Sequence, residues 1–200
     1  MKSEIISRAA VAPDTLPLSD TRIQREERRP SLSVIVPFRD EGTASWYMQR
    51  LEEQCQSFPR RSDIEFIVVD SGSVEPQRER CLEICEEHHV RYLRHDSAGQ
   101  TFSIGAARDF GVRYARGRAI SFLDIDLRVA PDFWVRLLHL MDVIGVSKNK
   151  KKFFVIPCLY LTEDGTFEFL GTEPDKRFTE FYLRWLNGDK SSVENLAPCS

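Results

Sequence analysis

The run Ala119-Ile120-Ser121-Phe122-Leu123-Asp124-Ile125-Asp126 carries two carboxylates one residue apart at the end of an apolar stretch. Side chains alternate along an extended chain, so Asp124 and Asp126 are expected to point the same way. Converging carboxylates at a strand end suit Mg²⁺ or Mn²⁺ beside a diphosphate. Such a pair recurs by chance, and its weight comes from what stands upstream. Pro37 to Glu41 and Asp70-Ser71-Gly72-Ser73 also follow apolar, β-branched runs. A nucleotide diphosphate needs partners for its base edge, acceptors for its ribose hydroxyls and cations for its phosphates. Asp70 can accept from a base N–H, Asp124 from ribose hydroxyls, and Asp126 can ligate a metal bridging the phosphates. Arg108 adds a fixed positive charge. Metal and arginine together would stabilise a departing diphosphate, the charge that develops in group transfer.

The elements that must position these groups follow from periodicity. Strands are expected at Leu32–Val36, closed by Pro37, and at Ile64–Val69, Val90–Leu93 and Ala119–Leu123. Helices are expected at Thr43–Phe58, Pro76–His89, Ser103–Ala115 and Pro131–Ile144, the last with Pro in its first turn and Gly145 just past its end. Small residues of the third helix (Gly105, Ala106, Ala107, Gly111) allow close packing. Phe153–Leu161 and Thr166–Leu170 flank Glu163-Asp164-Gly165, which reads as a hairpin turn. Lys176–Leu186 is a last amphipathic helix. Strands alternating with helices predict an α/β fold: a mostly parallel sheet covered on both faces. Ligands of such sheets sit beyond the carboxyl ends of the strands, where the three loaded segments lie. Residues 1–30, with Pro13, Pro17, Pro30 and the charge-dense run Arg22–Arg29, read as an N-terminal arm outside a domain spanning 31–200.

Composition narrows the classes. A chain of 200 residues with 42% hydrophobic content suffices for one medium domain with a real core. The net charge of −3 implies no nucleic-acid partner. The lysines at 148, 150, 151 and 152 read as a solvated loop, or else as a contact for an anionic membrane surface or acidic glycan. The five cysteines have no framework spacing, which points to a reducing, cytoplasmic setting. No apolar stretch approaches bilayer length, so the chain is expected to be soluble or peripheral at the inner face of the membrane. Cys81 and Cys85 share a helix face with apolar residues, which favours burial over zinc.

With these residues in view, the chain resembles the nucleotide-binding half of a family 2 glycosyltransferase with the Rossmann-like A-type fold. The matching segments are Ser33 to Glu41, Ile64 to Ser73, Ala106-Ala107-Arg108-Asp109-Phe110-Gly111, and Phe122 to Asp126 followed by Pro131. They stand in the family's order and cover roughly 31–145. The resemblance implies inverting transfer of a sugar from a nucleotide-diphosphate donor, a UDP-sugar first, to a glycan or lipid-linked hydroxyl acceptor. It implies help from Mn²⁺ or Mg²⁺, and a setting such as cell-surface or capsular polysaccharide synthesis. By position, Pro37, Phe38, Arg39, Glu41, Asp70, Ser71, Arg108 and Asp124 would line the nucleotide-sugar site, and Asp126 would hold the metal.

The chain departs from the family pattern in places. Arg39 stands where an aromatic is frequent, Asp70-Ser71 where two aspartates are, and Asp109 where asparagine is usual. The catalytic base, in an inverting reaction a carboxylate that deprotonates the acceptor, is expected beyond Ser200, in an acceptor half of which 151–200 is the start. Glu163-Asp164 is a weaker candidate for it. A competing reading is a donor-binding fragment that transfers nothing without that half or a partner chain. An Asp-x-Asp phosphatase is disfavoured because three strands precede the pair. A dinucleotide-dependent oxidoreductase or a nucleotidyltransferase would want a glycine-rich turn where Pro37-Phe38-Arg39 stands.

Overall fold

β1 (Leu32–Phe38) is buried at every position, the signature of a strand covered on both faces. The structure, a computed structural model, describes residues 29–42, 46–97, 99–149, 151 and 153–198. Most of the expected N-terminal arm therefore lies outside the described residues. β1 pairs in parallel with β2 (Ile64–Ser71), from Leu32 opposite Ile64 to Phe38 opposite Asp70. On its other side it pairs in parallel with β4 (Ala119–Phe122), and β3 (Arg91–His95) adds to the far edge of β2. The order is β3-β2-β1-β4, the parallel sheet that the alternation predicted.

Strand alternation divides the core in two. Leu32, Val34, Val36 and Phe38 of β1 and Phe66 and Val68 of β2 share one cluster with Leu51 and Cys55 of α1 (Trp46–Ser57). Cys81, Ile84 and Cys85 of α2 (Gln77–Glu87) join it, as do Trp134, Leu137 and Met141 of α4 (Phe133–Ile144). Ile35, Ile67 and Val69 point to the opposite face and pack on Ala107 of α3 (Ile104–Tyr114). The chain steps outward through α1 and α2, then returns past β2 and β1 through α3. Right-handed crossovers require a helix to change face when the direction reverses. α3 can lie close because its buried positions are Ala107 and Gly111. A Cβ at Gly111 would stand 2.6 Å from Ile35 Cγ2. Gly105 and Ala106, expected on the same face, are exposed.

The remaining elements form a smaller layer. β5 (Pro157–Leu161) pairs antiparallel with β6 (Val193–Pro198). α5 (Glu163–Gly171) and α6 (Pro174–Leu186) close over it through Phe169, Phe181 and Val193. Here the structure overturns the expected hairpin, since Glu163-Asp164-Gly165 is the first turn of α5. Thr162 caps that helix, its Oγ1 accepting from Gly165 N at 2.9 Å, and the two acidic residues suit the positive end of the helix dipole. Gly165 misled because glycine marks turns. Its role is close approach, as a Cβ there would sit 2.0 Å from Ser192 O.

Among the described residues the cysteines are of two kinds. Cys55, Cys81 and Cys85 are buried free thiols, and hydrogen bonding to Cys85 together with burial pushes the Cys55 thiol well above its usual range. Cys158 on β5 is disulfide-bonded, so cysteine usage does not carry the reducing compartment that the count suggested. Among the described residues no helix is long and apolar enough to cross a membrane.

Gly165→Ala should lower stability by roughly 2 kcal/mol in urea titration, because backbone must move to admit the methyl group. Gly171→Ala, where nothing lies within 4 Å of the new Cβ, should be neutral or slightly stabilising. Equal effects would contradict this packing.

Candidate functional site

Reversal of the chain around β1 places the topological switch point at the carboxyl ends of β1 and β4, where open α/β sheets receive ligands in a crevice. β4 ends at Phe122, and one further ladder bond follows, from Leu123 N to Ile35 O at 3.0 Å. The chain then turns, with Leu127 N donating to Asp124 O at 3.1 Å. Asp124 and Asp126 therefore belong to a tight turn and not to the extended strand, so strand alternation does not set their directions. Asp124 is half-buried and Asp126 exposed. Gln54 of α1 fixes the turn from below, its Nε2 donating to Asp124 O at 3.0 Å and to Leu127 O at 3.3 Å.

The accessible part of the site is charged. Arg108 Nη2 donates to Asp124 Oδ1 at 2.7 Å, and its guanidinium lies 5.2 Å from the Phe122 ring centroid. Helix α3 thus delivers the arginine to the acidic turn. Both side chains keep partial solvent access, 22% and 27%, so the pair is open to a competing ligand. Among the described residues the Asp126 carboxylate has no hydrogen-bond or ion-pair partner. At the end of β1, Arg39 pairs with the exposed Glu41, and its Nη1 donates to Gln100 O at 2.7 Å. That bond ties the loop between β3 and α3 to the crevice.

Beneath lies a buried layer that holds four of the expected site residues. Phe38 is 1% exposed within the main core, because it shares the face of Leu32, Val34 and Val36. It packs against core and does not line the crevice. Pro37 is likewise buried. Asp70 is fully buried. Its Oδ1 accepts from Ser73 N at 2.9 Å, and its Oδ2 from Tyr92 Oη and Arg94 Nη1, each at 2.8 Å. Its acceptor capacity is engaged by protein. Ser71 Oγ lies 2.9 Å from both His95 Nδ1 and Ser97 Oγ. The structure thus brings Glu41, Arg108, Asp124 and Asp126 to the accessible rim, with the Arg39 side chain largely buried beside Glu41 and Pro37, Phe38, Asp70 and Ser71 below.

Several supporting residues were not read from sequence. Arg94 and His95 stand directly opposite Asp70 and Ser71 in the β2–β3 register, so correct strand pairing would have found them. Gln54 interrupts an otherwise apolar stripe of Leu51, Cys55 and Phe58, and that signal was legible. Asp40 is 2% exposed. It holds the β1 loop through its N–H to Ser73 Oγ at 2.9 Å and its Oδ1 from Gly42 N at 2.7 Å. Burial, then the Asp70 carboxylate, pushes the Tyr92 hydroxyl above its usual range.

A cleft of about 570 Å³ opens at the opposite end of the sheet, lined by Arg60, Arg61, Glu65, Arg91 and Arg116 among others. Its arginines are largely neutralised within the protein, Arg61 by Asp63 at 2.7 Å and Arg91 by Glu65 at 2.8 Å. Neither the chemistry of the crevice nor any strand carboxyl end reaches it.

An open parallel sheet with charge gathered at its switch point defines a Rossmann-like α/β domain. The chain belongs to the family described as glycosyltransferase like family 2, whose profile matches residues 33–200. A curated relative, the glycosyltransferase GlyA of Streptococcus pneumoniae serotype 4, is 32% identical over 72 residues, covering 36% of this chain and 10% of its own length. The chain thus spans about a tenth of that relative. Among solved structures, S. aureus TarS 1-349 superposes with a TM-score of 0.45 at 21% identity, over 56% of this chain and 32% of that one. A mannosyltransferase, PcManGT of Pyrobaculum calidifontis, solved with GDP-Man and Mn²⁺, gives 0.41 at 23% identity, over 52% and 30%.

Tyr92→Phe should cost roughly 1 kcal/mol of stability by removing one bond to Asp70. Arg94→Ala should cost roughly 2–3 kcal/mol by leaving the buried carboxylate without its cation. Chemical denaturation checks both, and an unchanged midpoint for Arg94→Ala would contradict the buried ion pair.

Proposed function

We propose that this chain is the donor-binding part of an inverting glycosyltransferase that takes a nucleotide-diphosphate sugar, a UDP-sugar first, and passes the sugar to a hydroxyl of a glycan or lipid-linked acceptor. The observation that carries the reading is the Arg108–Asp124 pair beside the exposed Asp126, at the switch point of a sheet whose chain belongs to this family. Asp124 Oδ2 is left to accept from ribose hydroxyls while Oδ1 is held by Arg108. Arg108, once a diphosphate enters, can share its guanidinium with phosphate oxygens. Arg39 holds the loop beside the base position, and Asp70 acts from below by fixing the strand ends.

Divalent metal fits these residues. Among the described residues no three His, Cys, Asp or Glu side chains form a metal cluster. Mg²⁺ beside a nucleotide, however, takes only one or two carboxylates and completes its shell with phosphate oxygens and water. Asp126 would hold such an ion, with Asp124 next to it. Bound Mn²⁺ or Mg²⁺ would supply charge compensation for the leaving diphosphate.

In the transfer, the acceptor oxygen forms a bond to the anomeric carbon as the bond from that carbon to the diphosphate oxygen breaks. The hydroxyl proton passes to a carboxylate base. Glu163 and Asp164 are less suited to that task than the sequence allowed, since they occupy the first turn of a capped helix. Their place favours the second reading as well, that these 200 residues bind donor but need further chain or a partner for turnover.

Titration calorimetry with UDP should give Mn²⁺-dependent binding that Asp126→Ala abolishes and Asp126→Glu partly restores. Metal-dependent binding that survives Asp126→Ala would overturn the metal assignment. Binding with no sugar transfer to any acceptor would select the fragment reading.

A further inference from the structure

The chain between α4 and β5 carries a surface that the donor site does not use. Residues 153–156 alternate. Phe154 and Ile156 pack against the main core, whereas Phe153 is 86% exposed and Val155 51% exposed. Val143, in the last turn of α4, is 70% exposed, and Leu140, one turn earlier, 45%. Between these apolar groups Lys148 and Lys151 are exposed, and neither has an ion-pair partner among the described residues. The sequence adds Lys150 and Lys152, which lie outside the described residues.

Each bland reading explains half of this. A solvated loop accounts for the lysines but leaves a phenylalanine ring almost wholly in water, with Val155 and Val143 also outward. A protein–protein interface accounts for the apolar side chains but is depleted in lysine. An anionic lipid surface uses both, because apolar side chains enter the headgroup boundary while lysines meet lipid phosphates. The chain as a whole carries −3, so the attraction is local to this segment.

We propose that the exposed residues Leu140, Val143, Lys148, Lys151, Phe153 and Val155 dock the protein on an anionic membrane surface. Phe153, Val155 and Val143 enter the headgroup boundary, and Lys148 and Lys151 sit over lipid phosphates. This surface is independent of the donor reading and survives or fails without it.

Sedimentation with vesicles tests the proposal. The chain should bind phosphatidylcholine vesicles only when phosphatidylglycerol is mixed in, and binding should weaken as salt rises. Replacing Lys148 and Lys151 together by Gln should lower the partition coefficient about 25-fold, about fivefold for each charge. Phe153→Ser should lower it about tenfold while leaving the salt dependence in place. Circular dichroism of each variant should match the parent, since these side chains are exposed. Equal binding to neutral vesicles, no vesicle binding at all, or binding unaffected by Phe153→Ser would overturn the proposal. Two further outcomes would also overturn it: concentration-dependent dimerisation lost in Phe153→Ser without vesicle binding, and binding to polygalacturonate in place of vesicles.

Discussion

Burying the Asp70 carboxylate is the constraint on which the rest of the site depends. A charge with no solvent access is tolerated only when its lone pairs are met, and here the partners come from three directions. Tyr92 and Arg94 bring β3, Ser73 N–H closes the loop after β2, and the same Ser73 through its hydroxyl grips Asp40 after β1. Val74 N completes the tie by donating to Asp40 O at 3.2 Å. The ends of three adjacent parallel strands are thereby locked in one register. Asp70 does its work by placing others.

On that base the rim can remain charged and accessible. Parallel strands present their carboxyl ends on one side, and reversal at β1 leaves a gap there that no crossover covers. α3 reaches the gap from the opposite face because Gly111 lets it lie against Ile35 and Val69. Arg108, one turn before Gly111, then meets Asp124. The acidic turn is itself held by Gln54 from the other face. Helices on both faces thus converge on one short turn, which accounts for a site built from residues far apart in the chain.

Much of this was legible in the sequence. β-branched runs and helical stripes gave the alternation and hence the parallel sheet, and the order of the motif segments located the three loaded strand ends. Burial at those ends was not legible. Periodicity says that Phe38 continues a face, yet it is the covering of that face by α1, α2 and α4 that turns it inward. Asp70 and Ser71 read as ligands because polar residues at strand ends often are, while their partners became visible only through the β2–β3 register. For the Asp124–Asp126 pair the expected strand geometry failed because β4 stops two residues before it. In the smaller layer, Glu163-Asp164-Gly165 carried a turn signal whose glycine serves the backbone of Ser192. Single-sequence patterns do not distinguish a glycine needed for φ from one needed for space.

The central claim is that a nucleotide diphosphate occupies the crevice between the ends of β1 and β4. Hydrogen-exchange mass spectrometry of the 200-residue chain with UDP and Mn²⁺ tests it most directly, since it reads position as well as binding. Protection gained in peptides covering residues 37–41 and 122–128, with little change at 58–66 and 88–91, is the predicted result. Protection confined to 58–66 and 88–91, the cleft at the amino ends of the strands, would contradict the account, as would nucleotide binding that leaves 122–128 unprotected.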